Sequence, residues 1–194
     1  MTREEGWQIV CDHVKQDSLR KHNLAVEACM RYYARYYGED EENWGLVGLI
    51  HDFDFEIHPT LSQHPQDGAP ILRSRGVPED IIASVLSHAD HLSEQYPRVL
   101  LRDRVLVAVD ELSGLVSAVA LVRPSRSIID VDVKSVKKKW KDKAFARAVS
   151  RPDIERYTAE LGEGLDEHIG RVVKALQDRA VELGLADAQP ADCG

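Results

Sequence analysis

The stretch "GLIHDFDF", residues 48–55, sets a histidine and an aspartate side by side among Leu49, Ile50, Phe53 and Phe55. Apolar neighbours of this kind belong in a core, where an ionised carboxylate is costly unless a partner offsets its charge. The preceding residues 40–53 carry helical periodicity, so His51 and Asp52 fall at the end of a helix that points inward. Residues before and after this stretch show the same period. Thr2-x-x-Glu5 has the form of a capping box ahead of Trp7, Ile9, Val10 and Val14. From Asp17 or Ser18, Leu19, His22, Val26, Cys29, Tyr33 and Tyr36 recur at three- and four-residue spacing, with Gly38 as the stop. Further helical signals cover "HPQDGAPILRSRG", the run after Pro78, and the apolar stretch Val99 to Val122, whose valines leave a strand open. Two more helices are predicted, one at 133–149 and one at about 153–183. The expectation is an all-α fold, a single compact helical bundle spanning 1–194, with a frayed tail over 187–194.

Composition supports that expectation and excludes several functions. A chain of 194 residues with 43% hydrophobic and 30% charged residues has the balance of one globular domain. A net charge of -8 argues against general affinity for nucleic acid polymers or anionic membranes. No apolar run reaches the roughly 20 residues that a membrane span needs. Cys11, Cys29 and Cys193 are odd in number and far apart, and "MTREEGWQIV" does not read as a signal peptide, so a cytoplasmic setting with reduced thiols is expected.

Other polar residues interrupt apolar helix faces as His51 and Asp52 do. His22 is in register with Val26 and Cys29, His88 follows "IIASVL", and Asp110 breaks "LVAVDELSGLV". Left unpaired in one small core, these groups together cost several kcal/mol, about 1–3 kcal/mol each. A single imidazole on such a face is more often a hydrogen-bonded core residue than a ligand, and Asp110 alone could cap a helix or pair with an arginine. Shared coordination of a divalent cation would satisfy most of them at once, since neutral imidazole and carboxylate suit Zn, Mn, Fe or Ni.

The order His22, then His51-Asp52, then Asp110, each on or beside a helix, resembles the HD superfamily of metal-dependent phosphohydrolases. The similarity runs from about 18 to 122, as an HD-type metal-binding core, with C-terminal helices at 123–186 packing on it. The runs "AVDELSGLVSAVALVRPS" and "VKSVKKKWKDKAFAR" also resemble a bacterial group of HD-domain proteins known only as predicted hydrolases. The resemblance implies that His22, His51, Asp52 and Asp110 ligate one divalent metal ion. In two-metal members, histidines between the HD pair and the last aspartate hold the second ion, and Asp52 bridges. The matching positions are His64 and His88, with His91 an alternative to His88 one helical turn on. One or two ions are implied, with Mn, Fe, Zn, Ni and Mg undistinguished.

Many two-metal members carry HDxGK, whereas Asp54 and Phe55 stand here in place of glycine and lysine. A cyclic-dinucleotide activity is therefore not expected. Asp54 is a candidate catalytic proton donor or water-orienting group beside Asp52, or simply a loop cap. Glu111 and Ser113 could hydrogen-bond a ligand histidine. His13, His58 and His168 have no matching ligand role. The lysines from Lys134 to Lys143, with Arg147, read as a solvated helix face or as a lure for an anionic substrate. The implied activity is hydrolysis of a small phosphate-containing substrate, a phosphorylated metabolite or nucleotide, by metal-activated water. The alternatives are an HD-fold di-iron oxygenase and a non-catalytic, metal-stabilised ligand-sensing module. An exposed apolar face leaves a homodimer open.

Overall fold

The computed structural model describes residues 1–186; the tail expected at 187–194 lies outside them. Among the described residues the fold is all-helical, with no strand. The first helix, α1 (Arg3–His13), begins at the expected box: the Thr2 side chain accepts from the Glu5 amide, and Glu5 accepts from the Thr2 amide. The second, α2 (Asp17–Tyr37), presents Ala25, Val26, Cys29, Met30 and Tyr33 to the core.

The pairing of α2 with α3 (Glu41–Ile50) places the HD dipeptide. Asp40 caps α3 by accepting from the Asn43 amide, and every residue from Trp44 to Ile50 is buried. At Gly48 a Cβ atom would sit 3.0 Å from the Val26 carbonyl oxygen and 3.1 Å from the Glu27 Cα. Only glycine lets the two backbones approach this closely. The close approach brings the end of α3, and so His51, against the turn of α2 that carries His22.

After a turn-rich segment come α4 (Ala69–Ser74), α5 (Glu79–Ser87) and α6 (Leu101–Leu121). The apolar run that left a strand open is one continuous helix, with Val105, Leu106, Val109, Leu112, Leu115 and Val116 at 0% exposure. Its length and all-round burial override the local β preference of its valines. The helix α6 packs against α2, α3 and α5.

The C-terminal part departs from the expected boundaries. The helix predicted over 133–149 stops early, as α7 (Val133–Trp140). Beyond it the Asp142 side chain accepts from the amides of Ala144 and Phe145, and the Arg151 guanidinium donates to the carbonyls of Phe145, Ala146 and Val149. These side-chain bonds to the backbone offer it an alternative to helical pairing. The helix predicted over 153–183 is two, α8 (Arg151–Leu161) and α9 (Leu165–Asp178), separated where Gly162 takes a φ of 80°. Both pack on α6, and α9 also on α2. A buried polar knot joins them: the Tyr33 hydroxyl lies 2.5 Å from His168 Nδ1 and 3.0 Å from Glu163, while His168 Nε2 donates to the Ala108 carbonyl. No described helix is long and apolar enough to cross a membrane.

Candidate metal centre

Six side chains from five separate parts of the fold meet at one site. His22 comes from α2, His51 caps the C-terminus of α3, and Asp52 follows in the turn. His64 comes from the loop before α4, His88 caps α5, and Asp110 lies midway along α6. The donor atoms of His22, His51 and Asp52 all lie within 4.8 Å of one another, as do those of Asp52, His64 and His88.

The first group closes around Asp110. His22 Nε2 lies 3.0 Å from Asp110 Oδ1 and 3.6 Å from Asp52 Oδ2; His51 Nε2 lies 3.6 Å and 3.5 Å from the same oxygens. Ligands held about 2.0–2.2 Å from one tetrahedral ion are separated by roughly 3.3 Å, so this spacing fits the edges of a coordination polyhedron. The second group uses the other oxygen of the same carboxylate: Asp52 Oδ1 is 3.2 Å from His64 Nε2 and 3.5 Å from His88 Nε2. Asp52 thus turns one oxygen to each group.

The far side of each ring fixes which nitrogen faces inward. His51 Nδ1 donates to the Gly48 carbonyl at 2.9 Å, His88 Nδ1 donates to the Val85 carbonyl, and His64 Nδ1 donates to Asp54 at 2.8 Å. With those protons committed, the Nε2 lone pairs of His64 and His88 face each other at 3.1 Å, an arrangement that calls for a shared cation or an added proton. His51 Nε2 is buried and lacks a hydrogen-bond partner. A buried donor atom left open among carboxylates and imidazoles is what a divalent cation would complete, so the residues present fit such an ion.

The electrostatics agree. Burial opposes charge on His51, yet Asp52 and Asp110 outweigh it and raise its pKa to about 9. His64 rises to about 9 in the same way, with Asp52 and Asp54 overcoming its burial. Burial also works against ionisation of Asp52 and Asp110, but the facing histidines hold both carboxyls well below the usual range. The cluster demands positive charge, which protons supply when no cation does. Glu111 moves the opposite way, upward, through burial and the adjacent Asp110.

Asp54, a candidate proton donor, water-orienting group or loop cap, stands behind His64 and does not line the cleft. Its carboxylate is fully buried behind His64, bonded to His64 Nδ1 and lying 3.3 Å from His58 Nδ1. Gly68 packs so closely that a Cβ there would meet Asp54 Oδ2 at 2.5 Å. His91 is also elsewhere: α5 ends at Ser87, a separate 3-10 turn begins at Asp90, and His91 is exposed, 3.2 Å from the Gln66 side chain. Ser113 donates to the Asp110 backbone carbonyl rather than to a ligand histidine. His168, which matched no ligand role, is buried in the Tyr33 knot.

An open cleft of about 390 Å³ leads to the centre, lined by His22, Asp52, His64, His88 and Asp110 together with Phe55, Glu111, Ala148 and Val149. The last two belong to the Arg151-pinned turns and carry no signal in the sequence that would place them there.

An all-helical bundle presenting a histidine and aspartate cluster beside a cleft defines a helical protein whose side chains could hold a metal ion. The HD domain family model matches residues 19–115, half of the 194-residue chain, and the chain belongs to that family. Its members are typically metal-dependent hydrolases that bind divalent cations. Comparison with curated proteins and with solved structures returns no match.

Proposed function

We propose that the protein is a divalent-metal-dependent phosphohydrolase, cleaving the phosphomonoester or phosphodiester of a small metabolite or nucleotide. The observation that supports this most is Asp52, whose two oxygens each face a separate set of imidazoles. In this proposal His22, His51, Asp52 and Asp110 hold one ion, and Asp52, His64 and His88 a second. Such ions supply a water nucleophile at neutral pH and polarise a phosphoryl oxygen, offsetting charge that grows in the transition state.

The chain's own residues have definable tasks. His51, His64 and His88 are kept in the inward-facing tautomer by Gly48, Asp54 and Val85, so no proton need be lost from Nδ1 for coordination. Asp54 is a positioning residue, holding His64 and raising its basicity, and does not touch the reacting atoms. Phe55 packs edge-on against the His64 ring at 5.3 Å and lines the cleft. Glu111 lines the same cleft.

The test is Asp52→Ala, assayed on p-nitrophenyl phosphate and bis(p-nitrophenyl) phosphate with each divalent cation supplied, alongside elemental analysis. Loss of both bound metal and turnover is expected. An Asp52→Ala protein that retains its metal and its activity overturns the proposal.

A further inference from the structure

A second cavity of about 370 Å³ adjoins the metal cleft, and His22 and Gly114 line both. Most of its remaining surface is apolar, with Ala118, Leu121, Leu183 and Leu185; the paired Asp17 and Lys21 and two serines also line it, and it offers no aromatic side chain apart from the His22 ring. Leu121 is 47% exposed although it sits at this wall, an apolar surface without a covering partner among the described residues.

Gly114 gives the cavity its meaning. Glycine in a helix interior is unfavourable relative to alanine, and Gly114 lies in the middle of α6, one turn beyond Asp110. At Gly48 close packing explains the glycine, because a Cβ would strike a neighbouring backbone. At Gly114 a Cβ would meet nothing within 4 Å, so packing does not require glycine there. What a longer side chain would occupy is the junction between the cavity and the metal cleft.

We infer that this cavity is a substrate subsite for an aliphatic group, and that the substrates are amphiphilic phosphate esters. This rests on the phosphohydrolase proposal above: the phosphoryl group lies at the histidine and aspartate cluster, and an aliphatic chain passes Gly114 into the second cavity. Aliphatic walls reward methylene burial, whereas a nucleobase would find no ring to stack on. Gly114 is then the specificity-determining residue, keeping the passage open.

The experiment is calorimetric titration of the Mn²⁺-supplied protein with alkylphosphonates of one, four, six and eight carbons, which are not hydrolysed. Affinity is expected to rise with chain length, by up to about fourfold per methylene, until the cavity is filled. In Gly114→Leu the dependence on chain length disappears; in Gly114→Ala it is weakened, and thermal melting confirms that both variants fold. Equal affinity for all four chain lengths, or an undiminished dependence in Gly114→Leu, overturns the subsite. Tighter binding of a nucleoside monophosphate than of octylphosphonate overturns its aliphatic character. If octylphosphonate binds no better than 1-octanol while the chain-length dependence persists, the phosphate assignment fails here and with it the proposed function.

Discussion

Replacing Asp54 with asparagine separates positioning from catalysis at this centre. The substitution keeps the size of a fully buried side chain and an oxygen that can still accept from His64 Nδ1, but removes the negative charge 2.8 Å from that nitrogen. Without it the His64 ring is less basic and less firmly held. Changes to such outer partners typically weaken metal affinity about 10–100-fold, or roughly 1.4–2.7 kcal/mol. The four groups of the first set make no hydrogen bond to Asp54, so the loss falls on the second ion, the one assigned to Asp52, His64 and His88. Calorimetric titration of chelator-stripped protein with Mn²⁺ or Zn²⁺ reads both events. The wild type is expected to show two binding steps, and Asp54→Asn an unaltered tighter step with the weaker one displaced by one to two decades. Two unchanged steps combined with abolished turnover would refute the reasoning and return Asp54 to the reacting atoms.

Acid–base linkage makes a second expectation. In the metal-free protein His51 and His64 keep their protons to about pH 9, against 6.5 for an ordinary imidazole. A folded-state pKa raised in this way contributes stability that is full below 6.5 and lost as pH rises through 9, at most about 1.4 kcal/mol per pH unit for each group. A bound cation replaces those protons. The melting temperature of chelated protein should therefore fall between pH 6.5 and 9 while that of cation-loaded protein holds, and a gap that does not widen with pH contradicts the assignment. Away from the centre, Tyr33→Phe removes the hydroxyl beside His168 Nδ1 and leaves that buried nitrogen only the Glu163 carboxylate, at 3.7 Å. A cost of about 1–3 kcal/mol is expected, lowering the melting temperature by roughly 2–12 °C, with metal content unaffected; elemental analysis and thermal melting check both parts.

Much of this protein is legible along the chain because its signals are local. Thr2 and Glu5 cap α1 through contacts three residues apart, and the apolar period of α2 requires only that one face be buried. The HD dipeptide, with His22 upstream and Asp110 downstream, marks residues whose polarity conflicts with their surroundings, and that conflict is visible without coordinates. The misplaced helix ends have equally plain causes. Nothing in the Lys134–Arg147 stretch announces that Arg151 will collect the carbonyls that follow α7, because a guanidinium's partners are set by where the chain folds.

The sequence by itself determined the helical class and the residues unable to rest in an apolar core uncompensated. Only the tertiary structure decided which oxygen of Asp52 faces which histidines, that Asp54 stands behind His64, and that His91 is exposed and bonded away from the centre. Periodicity constrains a side chain relative to its own helix axis. Convergence of atoms from α2, α3, α5 and α6 depends on how closely those axes approach, and at Gly48 that distance is settled by a contact between two backbones far apart in the chain.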